Sequence, residues 1–254
     1  MDQPAYNALF FDLDGTLLPM DIHEFLTSYF TLLGECAASA GFDAETFGAA
    51  VKTSVFSMGD HEPGVLNCDA FWGRMREHLG DDVNRAYGFF EGFYAKEFGT
   101  LGDAVVPNPA AAQAINTLRD KGYLLFLTTM PMFPLPAVEW RLRWAGVDPA
   151  AFSRITCYDN STSIKPRLAY FEENLAMIDA SAENVLMVGN NTKEDLACMD
   201  TGMDAYLVTD NLLNPNEFDV ESVKHGSLVD FADFAAALPV CAHPATIIAE
   251  GPHA

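Results

Sequence analysis

The feature that most constrains the fold is a regular alternation of short apolar runs and helical patterns, which begins after residues 107–109. The apolar runs lack the polar alternation of a strand with one face in water, so they predict strands covered on both faces. The predicted strands are 123–127, 155–158, 185–188 and 205–208, and the helical patterns are 109–120, 136–145, from 166 and 193–200. Such alternation predicts a parallel sheet in a doubly wound α/β fold, which binds ligands beyond the carboxyl ends of its strands.

The segment that precedes this region has a different pattern. After a first apolar strand at about residues 6–11, residues 21–98 show helical signals that no strand signal interrupts. Asp21 and Glu24 have the spacing of a capping box, and Gly41 and Gly80 stand where helices are expected to end. We therefore expect an α/β core domain made of residues 1–18 and 105–254, with an all-helical domain inserted at residues 19–104.

The acidic composition limits the expected partners. Asp and Glu outnumber Lys and Arg by 36 to 14 in the 254 residues, which gives a formal net charge of −22. This charge repels phosphate backbones and anionic membranes, so neither nucleic acid nor a membrane is expected as a partner. The oligomeric state is left open.

The chain is expected to be cytoplasmic. Its five cysteines are scattered and form no Cys-x-x-Cys pair, which predicts reduced thiols rather than disulfides or a zinc site. The N-terminus carries no basic leader, and no apolar run approaches the roughly 18 residues of a membrane span.

A pair of acids at the end of the first strand predicts chemistry there. In residues 10–18 an apolar strand ends by presenting Asp12 and Asp14, and Gly15 then starts a turn. Because the side-chain period of a strand is two, both carboxylates point the same way. Like charges held this close are unfavourable unless a cation or a shared proton offsets them.

The stretch Asp12-Leu13-Asp14-Gly15-Thr16 resembles the first motif of the haloacid dehalogenase-like hydrolase superfamily, whose phosphatase members carry Asp-x-Asp-x-Thr. Three later segments, 124–128, 164–166 and 187–195, are similar to the remaining motifs of that family and follow in the same order. The resemblance covers nearly the whole chain. It implies a Rossmann-like core and identifies the inserted helices as a cap that closes over a site for small soluble substrates.

The resemblance also implies a role for several residues. Asp12 would be the nucleophile that forms an aspartyl-phosphate, and Asp14 would be the general acid and base. Lys165 would supply a fixed ammonium, and Pro166 after it would begin a helix whose N-terminus favours an anion. Thr128 would donate a hydrogen bond to a phosphate oxygen. Thr129 stands where many relatives have Asn, and no role is assigned to it.

The expected cofactor is Mg²⁺, because an anionic nucleophile needs compensating positive charge to approach a phosphate. By resemblance, its ligands would be the Asp12 carboxylate, the Asp14 backbone carbonyl and a group from the fourth motif. Here the chain departs from its relatives, which commonly have Asp where Asn190 and Asn191 stand. Asp195 fits the second acid of that motif. Three outcomes are open: an Asn carbonyl ligates, Asp195 or Glu194 holds the ion, or catalysis is weak.

These observations favour a Mg²⁺-dependent phosphatase that acts on a small phosphorylated metabolite. A 2-haloacid dehalogenase shares the nucleophile but lacks the second acid, so Asp14 argues against that activity. A phosphosugar mutase shares both acids and is not excluded by them. A weakly active or inactive protein that keeps the fold to bind a ligand is the alternative suggested by Asn190 and Asn191.

Overall fold

The computed structural model describes residues 6–248 and contains one six-stranded sheet in the order β3-β2-β1-β4-β5-β6. Every pairing between neighbouring strands is parallel. The strands are β1 (Ala8–Phe11), β2 (Leu124–Leu127), β3 (Arg154–Ile155), β4 (Val185–Gly189), β5 (Asp204–Val208) and β6 (Lys224–Gly226). The predicted doubly wound α/β fold is confirmed. The ends of the predicted core, residues 1–5 and 249–254, lie outside the described residues.

Both faces of the sheet are covered by helices, which explains why the strands lack polar alternation. The helices of this part are α5 (Pro109–Asp120), α6 (Leu135–Trp144), α7 (Leu168–Leu175) and α8 (Leu228–Ala237). Successive residues of β1 face opposite clusters: Phe11 packs edge-on against Phe152 and Phe231, while Phe10 stacks on Phe126 at 5.0 Å. Burial of large apolar side chains on both sides makes β1 the centre of the core.

The segment between β1 and α5 is helical, as predicted. It contains α1 (Ile22–Ser39), α2 (Ala44–Ser57), α3 (Asn67–Leu79) and α4 (Val83–Ala95), followed by a 3₁₀ segment at Glu97–Gly102. Asp21 caps α1 by accepting hydrogen bonds from the N–H groups of His23 and Glu24. The four helices share an apolar cluster rich in aromatic rings that is distinct from the two clusters on the sheet.

The helical segment packs on the core through α6. The ring of Phe98 stacks on Trp144 at 5.4 Å, and the indole N–H of Trp140 donates to the carbonyl of Tyr94 at 3.1 Å. Gly102 allows this approach, because a Cβ there would overlap the Trp144 indole. A glycine is therefore needed at this junction for close packing.

Several element boundaries differ from the sequence-based expectation. Strand β3 has only two residues, and α7 begins at Leu168 rather than at Pro166, so Lys165 lies in the turn before that helix. Residues 193–200 were expected to form a helix, but the structure has a 3₁₀ segment at Leu196–Thr201 that ends at Gly202 with a φ of 91°. The left-handed glycine ends this segment.

The edge strand β6 and helix α8 were not predicted. The sequence Lys224-His225-Gly226 carries no apolar side chain that would indicate a strand. The strand is only half-buried at the edge of the sheet, where apolar side chains are not required. A signal for α8 was present, since Ser227 and Asp230 form a reciprocal capping box at its start.

Within residues 6–248, no helix combines the length and the apolar character needed to cross a membrane. All five cysteines are free thiols.

The junction between α6 and the helical segment generates a stability prediction. Gly102→Ala should lower the free energy of unfolding by about 1–3 kcal/mol, because the new methyl group overpacks against Trp144. Thermal or urea unfolding measures the change. Gly73→Ala in the interior of α3 is the matched control, since a Cβ there meets no atom within 4 Å. The control should be stabilising by about 0.5–1 kcal/mol, and an equal effect of both changes would contradict the packing at the junction.

Candidate active site

The candidate site lies where the central strands end. Phe11 of β1 is in register with Leu127 of β2 and with Val188 of β4, so the residues that follow these strands meet at one edge of the sheet. The strand order reverses direction around β1, and this is the position at which α/β sheets bind ligands. Asp12 follows β1 directly at this point, and its N–H donates to the Val188 carbonyl at 2.9 Å.

Lys165 joins two of the predicted site residues. Its ammonium donates to Asp12 Oδ1 and to Asp195 Oδ1, each at 2.6 Å. The three side chains are nearly or fully buried, with at most 9% exposure. Burial alone would lower the pKa of Lys165, but the two carboxylates raise that pKa well above its ordinary value. Lys165 therefore stays charged and compensates the negative charge of the buried Asp12 carboxylate, the candidate nucleophile.

Asp195 also shapes the loop after β4. Its second oxygen, Oδ2, accepts hydrogen bonds from the backbone N–H groups of Asn190 at 3.0 Å and Asn191 at 2.9 Å. Gly189 permits this contact, because a Cβ there would overlap the Asp195 carboxyl group. Both oxygens of Asp195 are thus engaged, one by Lys165 and the other by the loop.

The two asparagines of the fourth motif have different surroundings. Asn190 shares a partner with Asp12, since the Thr16 hydroxyl is 3.2 Å from Asn190 Oδ1 and 3.1 Å from Asp12 Oδ2. The Asn190 Nδ2 group donates to the Asn211 carbonyl at 2.6 Å. Asn191 instead caps the following turn, because its Oδ1 accepts from the N–H groups of Lys193 at 3.0 Å and Glu194 at 3.2 Å. Of the two, Asn190 has the side-chain oxygen that shares the Thr16 hydroxyl with Asp12.

Asp14 forms an ion pair that was not anticipated. Its Oδ2 accepts from Arg141 Nη1, and the Arg141 side chain is only 1% exposed. Burial raises the pKa of Asp14, although the guanidinium opposes this shift. Arg141 lies on α6 one turn after the buried Ala137, so its position on the apolar face of that helix was a signal that it is buried.

Two atoms of this ion pair are left without partners. Asp14 Oδ1 and Arg141 Nη2 are both buried, and neither has a hydrogen-bond partner among the described residues. The guanidinium carbon lies 4.6 Å from the centre of the Phe133 ring, which covers one face of the group. Buried polar groups without a partner are costly, so both atoms are candidates for contacts with a ligand.

These groups surround a partly enclosed cavity of about 210 Å³. Its apolar wall consists of Ile22 and Leu26 from α1, together with Met130, Met132, Phe133 and Leu213. Its polar wall consists of Asp12, Asp14, Thr129, Arg141, Asn190, Asn191, Glu194 and Asp195. The cavity thus combines polar groups with apolar surface, as in sites for small molecules.

The two consecutive threonines after β2 differ in placement. The hydroxyl of Thr128, the predicted phosphate ligand, is 3.3 Å from the Phe11 carbonyl and 3.4 Å from the Met187 sulfur, and Thr128 does not line the cavity. Thr129 does line it, and its buried hydroxyl has no partner among residues 6–248. The structure therefore adds Thr129 to the groups that face a ligand.

The oxygen groups near Asp12 fit a hard divalent cation that keeps several waters. Asp12 Oδ2 and Asn190 Oδ1 converge on the Thr16 hydroxyl, and Asp14 Oδ1 is an orphaned carboxylate oxygen in the same cavity. Mg²⁺ is typically bound in this way, by one or two carboxylates together with water and substrate oxygens. No cluster of three or more His, Cys, Asp or Glu side chains within residues 6–248 forms a protein-only metal cage.

The buried position of Lys165 generates a stability prediction. Lys165→Met should lower the free energy of unfolding by about 3–5 kcal/mol, because it leaves Asp12 and Asp195 as buried acids without their cation. Urea unfolding at neutral pH measures the loss. Lys224→Met is the control, since the ion pair of Lys224 with Asp204 is 37% exposed on the lysine side and should contribute only about 0–1 kcal/mol. Similar losses of unfolding free energy for both variants would contradict the larger contribution expected from the buried ion pairs of Lys165.

Comparison with solved structures gives the same fold at low sequence identity. The chain resembles a HAD phosphatase from Thermococcus onnurineus with a TM-score of 0.52 and 17% identity, over 90% of this chain and 97% of the other. It resembles a predicted phosphoglycolate phosphatase from Haemophilus somnus with a TM-score of 0.54 and 16% identity, over 92% and 99% of the two chains. An L-2-haloacid dehalogenase from Xanthobacter autotrophicus has a TM-score of 0.52 and 15% identity, over 92% and 99%. These likenesses establish the fold and do not separate phosphatase from dehalogenase.

Among curated proteins, none matches this chain. A family model described as haloacid dehalogenase-like hydrolase matches residues 6–198, which include the helical segment and all of the motif residues described above. The chain therefore belongs to the haloacid dehalogenase-like hydrolase family.

Proposed function

We propose that this hydrolase is a Mg²⁺-dependent phosphatase of small phosphomonoesters that works through an aspartyl-phosphate on Asp12. The observation that carries the proposal is the placement of two acids at one cavity, where Lys165 holds Asp12 and Asp14 lies two residues away on the same strand end. The second acid distinguishes the two activities found among the structural neighbours. A dehalogenase of this family needs only the first, so Asp14 supports phosphoryl transfer.

The proposed reaction uses Asp12 as the nucleophile. Its carboxylate forms a bond to phosphorus while the bond from phosphorus to the ester oxygen breaks. Lys165 orients the carboxylate and offsets part of the negative charge that gathers as the phosphate approaches. Water then attacks the phosphorus of the aspartyl-phosphate, which releases phosphate and restores Asp12.

Asp14 is proposed to move the proton in both steps. It donates a proton to the departing alcohol and later accepts one from the attacking water. Burial raises the pKa of Asp14, which favours the protonated acid needed in the first step, whereas Arg141 favours the carboxylate needed in the second. The balance of the two effects suits a group that must alternate between both forms.

Mg²⁺ is the proposed cofactor, held by Asp12, the backbone carbonyl of Asp14 and Asn190. When bound, it would supply positive charge next to the phosphate oxygens. Asn190 contributes a neutral oxygen where many relatives have a charged one, so the ion should bind more weakly. Glu194 lines the same cavity, and burial raises its pKa.

We propose that residues 19–104 act as a cap on a core made of residues 1–18 and 105–254. Ile22 and Leu26 of α1 supply apolar surface to the cavity, so this helix is placed to exclude water from it. The free cysteines suit a cytoplasmic enzyme, and its proposed substrate is a small phosphorylated molecule.

A catalytically weak ligand-binding protein is the second candidate. Two observations favour it: Asn190 removes one formal charge from the proposed metal site, and Asp14 is paired with Arg141. Turnover assays separate this candidate from the phosphatase.

The nucleophile is tested with an isosteric change. Asp12→Asn should reduce hydrolysis of p-nitrophenyl phosphate in Mg²⁺ by more than about 10³-fold, because the amide cannot form the covalent intermediate. Asp233→Asn, on the exposed surface of α8, is the matched control and should keep full activity. Turnover that survives in Asp12→Asn would refute the assignment, and the absence of turnover in the unmodified protein with either Mg²⁺ or Mn²⁺ would favour the binding protein.

The metal site is tested by restoring the missing charge. Asn190→Asp should lower the Mg²⁺ concentration for half-maximal activity by on the order of tenfold, because a carboxylate attracts a hard cation more strongly than an amide does. Asn191→Asp is the matched control, since Asp caps the turn as well as Asn and this side chain faces backbone N–H groups. A metal titration in which Asn191→Asp shows the larger shift, or neither variant shows one, would contradict the placement of the ion beside Asn190.

A further inference from the structure

We propose that Arg141 binds an oxygen acceptor on the leaving group, so that the preferred substrates are small phosphomonoesters with an oxygen function on the carbon next to the ester carbon. This inference rests on the proposed phosphatase function and deepens it. The acceptor is a carboxylate or a hydroxyl, which have in common an oxygen lone pair that a guanidinium N–H can reach.

The first observation is the state of the guanidinium. Arg141 Nη1 is used by Asp14 and its Nε donates to the Ala137 carbonyl at 3.3 Å, whereas Nη2 has no partner among the described residues. The residue lines the cavity although it is only 1% exposed. A buried donor without an acceptor is costly, and a ligand oxygen that satisfies it gains affinity.

The second observation is the position of Arg141 relative to the chemistry. Asp14 is the proposed donor of a proton to the ester oxygen, so the ester oxygen must lie next to Asp14 when the bond breaks. Arg141 is bonded to that same carboxyl group, while Lys165 contacts Asp12. The two buried cations therefore divide the site, with Lys165 beside the nucleophile and Arg141 on the side of the leaving group.

The third observation is the wall beyond Arg141. Phe133 covers one face of the guanidinium, and Ile22, Leu26 and Met132 line the same cavity. A volume of about 210 Å³ leaves room for only a small leaving group. The cavity thus offers that group a buried N–H donor with an aromatic ring on one face of its guanidinium, and at a buried site a hydrogen bond is strong and its absence is penalised.

The test compares three esters that differ at one position: ethyl phosphate, 2-hydroxyethyl phosphate and 2-phosphoglycolate. In Mg²⁺ the unmodified enzyme should show kcat/KM at least about tenfold higher for one or both oxygen-bearing esters than for ethyl phosphate. The hydroxyl and carboxylate esters show which acceptor is used. Arg141→Lys should bring the ratio to near one, because one ammonium can pair with Asp14 but lacks the second, fixed donor.

The ratio of the kcat/KM values for two substrates, measured on one protein, is insensitive to partial loss of folded enzyme. Arg143→Lys is the matched control, since Arg143 lies on the same helix, is 50% exposed and pairs with Glu139 outside the cavity. That variant should keep the ratio. No preference in the unmodified enzyme, or a preference that Arg141→Lys retains, would overturn the inference.

Binding separates this inference from the phosphatase proposal. Calorimetry on Asp12→Asn, alone and combined with Arg141→Lys, measures the affinity for ethyl phosphate and 2-phosphoglycolate. If none of the three esters is turned over but tighter binding of 2-phosphoglycolate depends on Arg141, the phosphatase proposal fails and the role of Arg141 in recognition is supported. Equal binding of both ligands together with equal turnover of all three esters would overturn the role of Arg141 and leave the phosphatase proposal intact.

Discussion

The contact of the buried Lys165 ammonium with two carboxylates is the interaction on which the rest of the site depends. It lies 2.6 Å from a carboxylate oxygen of Asp12 and 2.6 Å from one of Asp195, and these acids follow different strands of the sheet. Without this cation, two carboxylates would be buried side by side at the end of the core, which is strongly unfavourable. Because Asp195 also holds the N–H groups of Asn190 and Asn191, Lys165 links the nucleophile candidate to the loop after β4.

The electrostatic balance of the cavity connects the two cations to the proposed chemistry. Four acids line it, Asp12, Asp14, Glu194 and Asp195. Arg141 is paired with Asp14, and Lys165 is paired with Asp12 and Asp195. The excess of acids favours a divalent cation even though Asn190 is neutral. Each of these two cations is bonded to a different acid of the first motif, so in the proposed reaction the nucleophile and the proton donor have separate electrostatic support.

Much of the fold could be predicted from the sequence because the central strands are continuous apolar runs. The same pattern could not locate β6, whose residues are polar, or show that β3 has only two residues.

The first motif indicated that Asp12 and Asp14 share one side of a strand end, and the family order indicated that Lys165 would lie near them. What the sequence pattern alone could not resolve was side-chain direction, such as which of Asn190 and Asn191 shares a hydrogen-bond partner with Asp12. Arg141 was missed because an arginine on a helix is usually exposed, and its burial depends on a partner that is 127 residues away in the chain.

The central claim, that Asp12 carries the phosphoryl group, is tested most directly by trapping the intermediate. Asp14→Asn removes the group that activates water, while p-nitrophenolate departs without needing a proton, so an adduct should accumulate during a single turnover. Intact-protein and peptide mass spectrometry after rapid acid quenching measures it. We predict the mass of one phosphoryl group on Asp12 in Asp14→Asn, and none when Asp12 is also changed to Asn. An adduct on another residue, or turnover with no adduct under these conditions, would contradict the proposed mechanism.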